Sequence, residues 1–139
     1  MSEQNAPPAG YSSTVIEHAI RPRNLGTIEG ADGHARVTGP CQDTLEMWLT
    51  VRHDVITNIS FVCDGCITSL VSGSMATELA KGKKIAEALR INQQDILAAL
   101  GGLPEESEHC ALLAADTLKA SIKDFLLIRN EPWKKLYRT

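Results

Sequence analysis

The chemistry available to this sequence lies in four cysteines, Cys41, Cys63, Cys66 and Cys110, and the polar residues beside them. The run Phe61-Val62-Cys63-Asp64-Gly65-Cys66-Ile67-Thr68-Ser69 ends a β-like segment in a Cys-x-x-Cys and opens a helical pattern. Val55, Ile59 and Phe61 share one parity with Thr57 between them, which predicts a half-buried strand holding Cys63 and Cys66 at its exit. Leu70, Val71, Ser74, Met75 and Leu79 then recur at three and four residues, the period of an amphipathic helix from about Ile67 to Lys81. Cys66 therefore falls at a helix N-terminus. There the unpaired N–H groups and the dipole favour the thiolate, the form that ligates metal or attacks sulfur. Cys63, taken alone, reads as a small buried residue under the turn.

Two further segments bring a cysteine to the end of a regular element. Cys41-Gln42-Asp43 enters a strand, and an extended backbone there puts the thiol and the carboxylate on one side. His109-Cys110 opens a helix. Helix neighbours do not face one another, so a Cys–His catalytic dyad is poor geometry, yet residues straddling a helix start can both approach one ion. Convergence of such ends is what a shallow surface metal site requires. Three soft thiolates with one harder ligand suit zinc or an iron–sulfur cluster, not magnesium or calcium. His18, His34 and His53 have no ligand partner close in sequence and read as structural or solvated.

The elements that must position these groups follow from the rest of the chain. At 139 residues, 43% of them apolar and only 4% aromatic, it makes one domain with an aliphatic core. A formal charge of −3 offers phosphate backbones no general attraction, so nucleic acid is not an expected partner. No apolar run approaches the roughly 20 residues that span a bilayer, and the opening residues lack a signal pattern. A soluble, cytoplasmic protein with no membrane association is expected, and metal or thiol chemistry is then the better default for the cysteines than disulfide staples.

Residues 1–10 read as a flexible arm, 11–129 as the domain, and 130–139 as a locally basic tail, either a solvated end or a short helix packing Trp133 and Tyr137. Ser12 or Ser13 can cap a helix with Val15, Ile16, Ala19 and Ile20 on one side, ended by Pro22. His34–Thr38 is a short edge strand. Leu45, Met47, Leu49 and Val51 alternate with Thr44, Glu46, Trp48, Thr50 and Arg52, and the His53-Asp54 turn makes this strand pair antiparallel with the next. Lys84–Leu89 restarts a helical pattern, Asn92 caps another, and Cys110, Leu113, Ala114, Leu118, Ile122 and Phe125 form the stripe of a long last helix. Strands first and helices after argue α+β.

The order Pro22-Arg23-Asn24-x-Gly26, Cys41-x-Asp43, Gly65-Cys66 with a small-residue helix, and His109-Cys110-Ala111-Leu112-Leu113-Ala114-Ala115-Asp116 resembles the U-type iron–sulfur cluster scaffolds, IscU and the N-terminal domain of NifU. The likeness spans about Tyr11 to Arg129. It implies a three-stranded antiparallel sheet with helices packed on it, and a non-catalytic assembly site formed by Cys41, Asp43, Cys66, His109 and Cys110. It also implies sulfur from a cysteine desulfurase, a 2Fe–2S cluster handed to apo iron–sulfur acceptor proteins, zinc at the same residues, and frataxin or ferredoxin as further partners.

Three departures stand out. Cys63 is extra, a spare sulfur acceptor, an alternative ligand or core. Gln42 replaces the usual glycine between Cys and Asp. Leu103-Pro104-Glu105-Glu106-Ser107 lacks the second proline and the lysine of the segment a dedicated Hsp70 chaperone recognises, which argues against chaperone-assisted release. Two other classes compete. A strand leading through Cys63 and Cys66 into a helix is also a thiol redox arrangement, although it leaves Cys41 and Cys110 idle. A purely structural zinc protein would unfold on chelation.

Overall fold

The computed structural model describes residues 11–137, so the arm expected over 1–10 lies outside the described residues. Alternation builds the sheet. Strands β1 (Gly33–Thr38), β2 (Thr44–Arg52) and β3 (Val55–Asp64) pair antiparallel in the order β1-β2-β3, the three-stranded sheet expected. Leu45, Met47 and Leu49 are fully buried, and Phe61 and Ile59 lie opposite the last two. Each such side chain withdrawn from water contributes about 1.5–3 kcal/mol before the entropy of ordering is subtracted.

The face assignment expected along β3 fails at its start. The register shifts between Thr50 and Val51, so that Val51 pairs with Ile56 and Thr50 with Asn58. This bulge moves Ile56, not Val55, into the core, because an extra residue exchanges the two faces of a strand.

Helix α1 (Ser13–Ile20) is capped by Ser12, whose Oγ accepts from the Val15 N–H at 3.0 Å. Its buried side is Val15 and His18, whereas Ile20 stays 71% exposed, so the expected apolar stripe is only half used. A polar residue wins the place because His18 finds a partner inside: its Nδ1 lies 2.7 Å from Ser74 Oγ.

Helix α2 (Ile67–Ala80) follows β3 as expected but is not amphipathic. Thr68, Ser69, every residue from Val71 to Thr77, and Ala80 are buried, with β3, α1 and two later helices packed around it. Small side chains let those neighbours approach. Its hydroxyls are satisfied locally, Ser72 Oγ donating to Thr68 O at 2.7 Å and Thr77 Oγ1 to Ser74 O at 2.8 Å, which removes much of the cost of burying them.

A short α3 (Ile85–Ala88) leads to α4 (Gln93–Leu100), capped by Asn92. A 3-10 turn over Glu105–Ser107 then delivers the chain to α5 (Glu108–Asn130), which buries Cys110, Leu113, Ala114, Leu118 and Ile122 along the expected stripe. A last 3-10 segment, Pro132–Tyr137, leaves Trp133 58% exposed, which fits the solvated alternative at that residue; the side chain of Tyr137 lies outside the described ones. Among the described residues, no helix is long and apolar enough to cross a membrane.

Candidate metal centre

One end of the sheet gathers the sulfur. The final pair of the hairpin, Thr44 opposite Asp64, sets Asp43 beside Gly65. A Cβ on Gly65 would lie 2.5 Å from Asp43 Cγ, so only glycine lets the carboxylate come this close. Just before β2, Gly39 N–H donates to Asp43 O at 2.8 Å and Gln42 N–H to Gly39 O at 3.0 Å, closing a tight turn that holds Cys41 out in solvent. Cys66 is the N-cap of α2, and His109 and Cys110 occupy the first turn of α5. Packing of α5 on α2 brings the last two groups in.

The atoms meet closely. Cys66 Sγ and Cys110 Sγ are 4.0 Å apart, near the separation of about 3.8 Å that two thiolates take around a tetrahedral zinc with 2.3 Å bonds. His109 Nε2 lies 3.2 Å from Cys41 Sγ and 3.6 Å from Cys110 Sγ, spanning the exposed thiol and the buried one. Asp43 Oδ2 accepts from the Cys66 thiol at 2.9 Å, from the Cys66 N–H at 3.3 Å and from Ser69 Oγ at 2.5 Å. The ligand atoms of Asp43, Cys66 and Cys110 all lie within 4.8 Å of one another.

Electrostatics favour one anion at the corner, the Asp43 carboxylate. Hydrogen bonds from the Cys66 thiol and the Ser69 hydroxyl, with smaller help from the Cys66 N–H and Cys41, hold the Asp43 carboxyl below the usual carboxylate range. Burial pushes the Cys110 thiol up, opposed by the Ser69 and Thr68 hydroxyls. Among the described residues, Asp43, Cys66 and Cys110 receive their hydrogen bonds from hydroxyls, thiols, a backbone N–H and His109, with none from Lys or Arg. A site holding soft sulfur, one imidazole and a carboxylate, without a resident cation, is suited to a thiophilic metal.

The five residues expected at the site, Cys41, Asp43, Cys66, His109 and Cys110, thus converge from three separate segments. Cys63 does not join them. It stands opposite Leu45 on the inner face of the sheet, half-buried, and burial pushes its thiol up to about 11, helped by the negative charge of Asp43 and Cys66. His18 is buried under α1, His34 pairs with Glu46 on the outer face, and His53 sits exposed in the hairpin turn. Thr68 and Ser69 are the groups the sequence reading passed over. Their signal was present, two hydroxyls in the helix turn immediately after Gly65-Cys66, but a Ser/Thr pair at a helix start reads first as capping.

Comparison with known proteins places this arrangement. A family model described as the NifU-like N terminal domain matches residues 10–132. The chain is 45% identical over 116 residues to the iron–sulfur cluster assembly scaffold protein IscU 1 of Archaeoglobus fulgidus, covering 83% of this chain and 76% of that protein. It is 38% identical over 120 residues to the IscU scaffold of Aquifex aeolicus, covering 84% and 76%. In three dimensions it resembles the crystal structure of a NifU-like N-terminal protein from Brucella abortus, with a TM-score of 0.66, 19% identity, and coverage of 84% and 94%; that likeness speaks to the fold.

Proposed function

The chain belongs to the NifU-like N-terminal domain family, and from that membership we propose that it is a scaffold on which an iron–sulfur cluster is assembled and then transferred. The cluster is of the 2Fe–2S type, built from iron and desulfurase-derived sulfur and passed to apo-acceptor proteins. Cys41, Asp43, Cys66, His109 and Cys110 are the groups that hold it. The protein works as a carrier, with no catalytic residue of its own.

The observation that carries this reading is the gradient of exposure across the sulfurs. Cys110 is buried, while Cys41 and Cys66 are exposed, so the cargo is gripped from below and reachable from above. Deep coordination on all sides would defeat a donor. Asp43 adds an oxygen, a harder ligand than sulfur, which keeps the grip loose enough to release. Zinc at the same residues is favoured by the 4.0 Å sulfur pair. The Cys63–Cys66 redox alternative loses support, because the Cys63 thiol is directed to the core side and stays protonated near neutral pH.

Anaerobic reconstitution with iron, cysteine and a desulfurase, followed by absorption spectroscopy, tests the proposal. Replacing Cys41, Cys66 or Cys110 by Ser should abolish the cluster bands, whereas Cys63→Ser should keep them. Asp43→Ala should hold its cluster longer and pass it more slowly to an apo-acceptor. Full cluster formation in the Cys66→Ser and Cys110→Ser proteins would end this reading.

A further inference from the structure

The first turn of α2 carries two buried hydroxyls that the ligand set leaves unexplained. Ser69 is fully enclosed, and its Oγ lies 2.5 Å from Asp43 Oδ2, so its single proton goes to the carboxylate. Thr68 is 5% exposed and places Oγ1 3.0 Å from Cys66 Sγ and 3.2 Å from Cys110 Sγ. Among the described residues that hydroxyl has no other hydrogen-bond partner. An ordinary helix-interior threonine behaves differently, turning its hydroxyl back to a carbonyl one turn earlier, as Thr117 does to Leu113 O at 2.8 Å. Thr68, in the first turn, has no helical carbonyl one turn earlier to return to, and its hydroxyl stands between the sulfurs.

We propose that Thr68 and Ser69 are positioning residues of the cargo site, Thr68 donating its proton to the Cys66–Cys110 sulfur pair and Ser69 fixing which oxygen Asp43 presents. This rests on the scaffold reading above and deepens it. A hydrogen bond to a thiolate draws density from the electrons the sulfur shares with a metal, so it weakens the metal–sulfur bond and favours release. Its effect reaches both sulfurs, since one hydroxyl touches the exposed Cys66 and the buried Cys110. Ser69 acts on the remaining arm. With Oδ2 engaged by Ser69 and Cys66, Oδ1 is the oxygen with lone pairs to offer, and Asp43 is held as a single-oxygen ligand instead of a two-oxygen clamp. Both residues therefore push the site toward weak, reversible holding.

Cobalt(II) binding by the full-length chain tests the idea, because the thiolate-to-cobalt charge-transfer band reports sulfur donor strength directly. Thr68→Val should move that band to longer wavelength and slow loss of the ion to a chelator about threefold to tenfold. Thr68→Ser, which keeps the hydroxyl, should restore the wild-type band and rate. Ser69→Ala should leave the band in place and raise cobalt affinity about tenfold. Circular dichroism checks the fold, and Thr68→Ala carries the same measurement if the valine methyl is not accommodated. A Thr68 variant without the hydroxyl that shows the wild-type band and release rate overturns the role of Thr68, and unchanged affinity in Ser69→Ala overturns that of Ser69. A wild-type chain lacking any thiolate–cobalt band overturns the scaffold reading itself, which separates the two failures.

Discussion

Along α2, one cluster of buried hydroxyls occupies the first turn, Thr68 and Ser69, and a second occupies the middle, Ser74 and Thr77. The middle cluster closes on neutral partners. Arg23 N–H donates to Ser74 Oγ at 2.8 Å, Ser74 Oγ and His18 Nδ1 share a hydrogen bond at 2.7 Å, and Asn24 Nδ2 donates to Thr77 Oγ1 at 3.0 Å. It staples α1 and the Pro22–Gly26 turn onto the helix and thence onto β3, where Gly26 N–H reaches Phe61 O at 2.9 Å. The first-turn cluster faces two sulfurs and the Asp43 carboxylate instead, and among the described residues no Lys or Arg bonds to them. The same residue types thus serve the fold in one place and the proposed cargo site in the other, and what separates them is whether their partners are neutral groups or the sulfurs and carboxylate of that site.

Two glycines sharpen that contrast and carry the largest expected effects. A Cβ on Gly73 would lie 2.7 Å from Phe61 Cε2, in the packed half of the helix, and one on Gly65 would strike Asp43 at 2.5 Å. Gly73→Ala should lower unfolding stability by about 1–3 kcal/mol in urea and leave metal affinity nearly unchanged. Gly65→Ala should do the reverse, changing metal retention about 10–100-fold in the same direction as Asp43→Ala as the carboxylate is displaced, with a smaller loss of stability. Equal damage to both properties from both variants would break the division.

The sequence made one half of this picture readable and hid the other. Alternation in β2 and the 3.6-residue period of α5 come through because each has one face in water, so Leu45, Met47 and Leu49, or Leu113, Leu118 and Ile122, stand out from their neighbours. The residues proposed for the site were legible as a motif, since cysteine, aspartate and histidine at element ends carry their chemistry with them. Helix α2 is buried along most of its length, with Ile67 and Glu78 its exposed residues, and its hydroxyl-bearing residues are internal. Period therefore says little about it, and the hydroxyl network around Thr68 and Ser74 depends on segments 42 to 56 residues away in the chain. The bulge at Thr50 and Val51 was equally invisible, because one extra residue leaves composition unchanged while reversing a strand's faces.

The staple, not the site, should govern mild-acid stability of the metal-free chain. Burial holds the His18 pKa below its ordinary 6.5, with the Arg23 charge adding to the effect against Glu17 and Glu78. The unfolded chain then binds the proton more readily, so stability is complete above about pH 6.5 and is lost as pH falls toward the folded value. A single site of this kind gives a slope no steeper than about 1.4 kcal/mol per pH unit. Urea titrations of wild type and His18→Gln across that window should show the slope only in the former. Asp43, at the other cluster, acts in the same direction but in a lower window: its lowered carboxyl contributes above about pH 4 and is lost only below it. A slope that survives in His18→Gln would mean the mid-helix cluster is not its origin.

The smallest expected effect concerns the turn that carries Cys41. Gln42 has φ of +71°, in the left-handed region that costs a residue with a side chain about 1–2 kcal/mol. Glycine removes that strain but adds about 0.5–1 kcal/mol of unfolded-state freedom, so Gln42→Gly should stabilise the fold by no more than about 1 kcal/mol. Strain tolerated in an exposed turn beside ligands has a use when the alternative is a turn with more than one shape. Gln42 limits the backbone between Cys41 and Asp43 to the conformation in which Gly39 bonds both Gln42 N–H and, through its own N–H, Asp43 O. Gln42→Gly should therefore raise the midpoint of thermal unfolding slightly while lowering metal affinity, as the freed turn lets the exposed Cys41 thiol wander from His109. A gain in both would show that this loop stores strain without aiming a ligand, and would move Gln42 from the functional end of the comparison to the structural one.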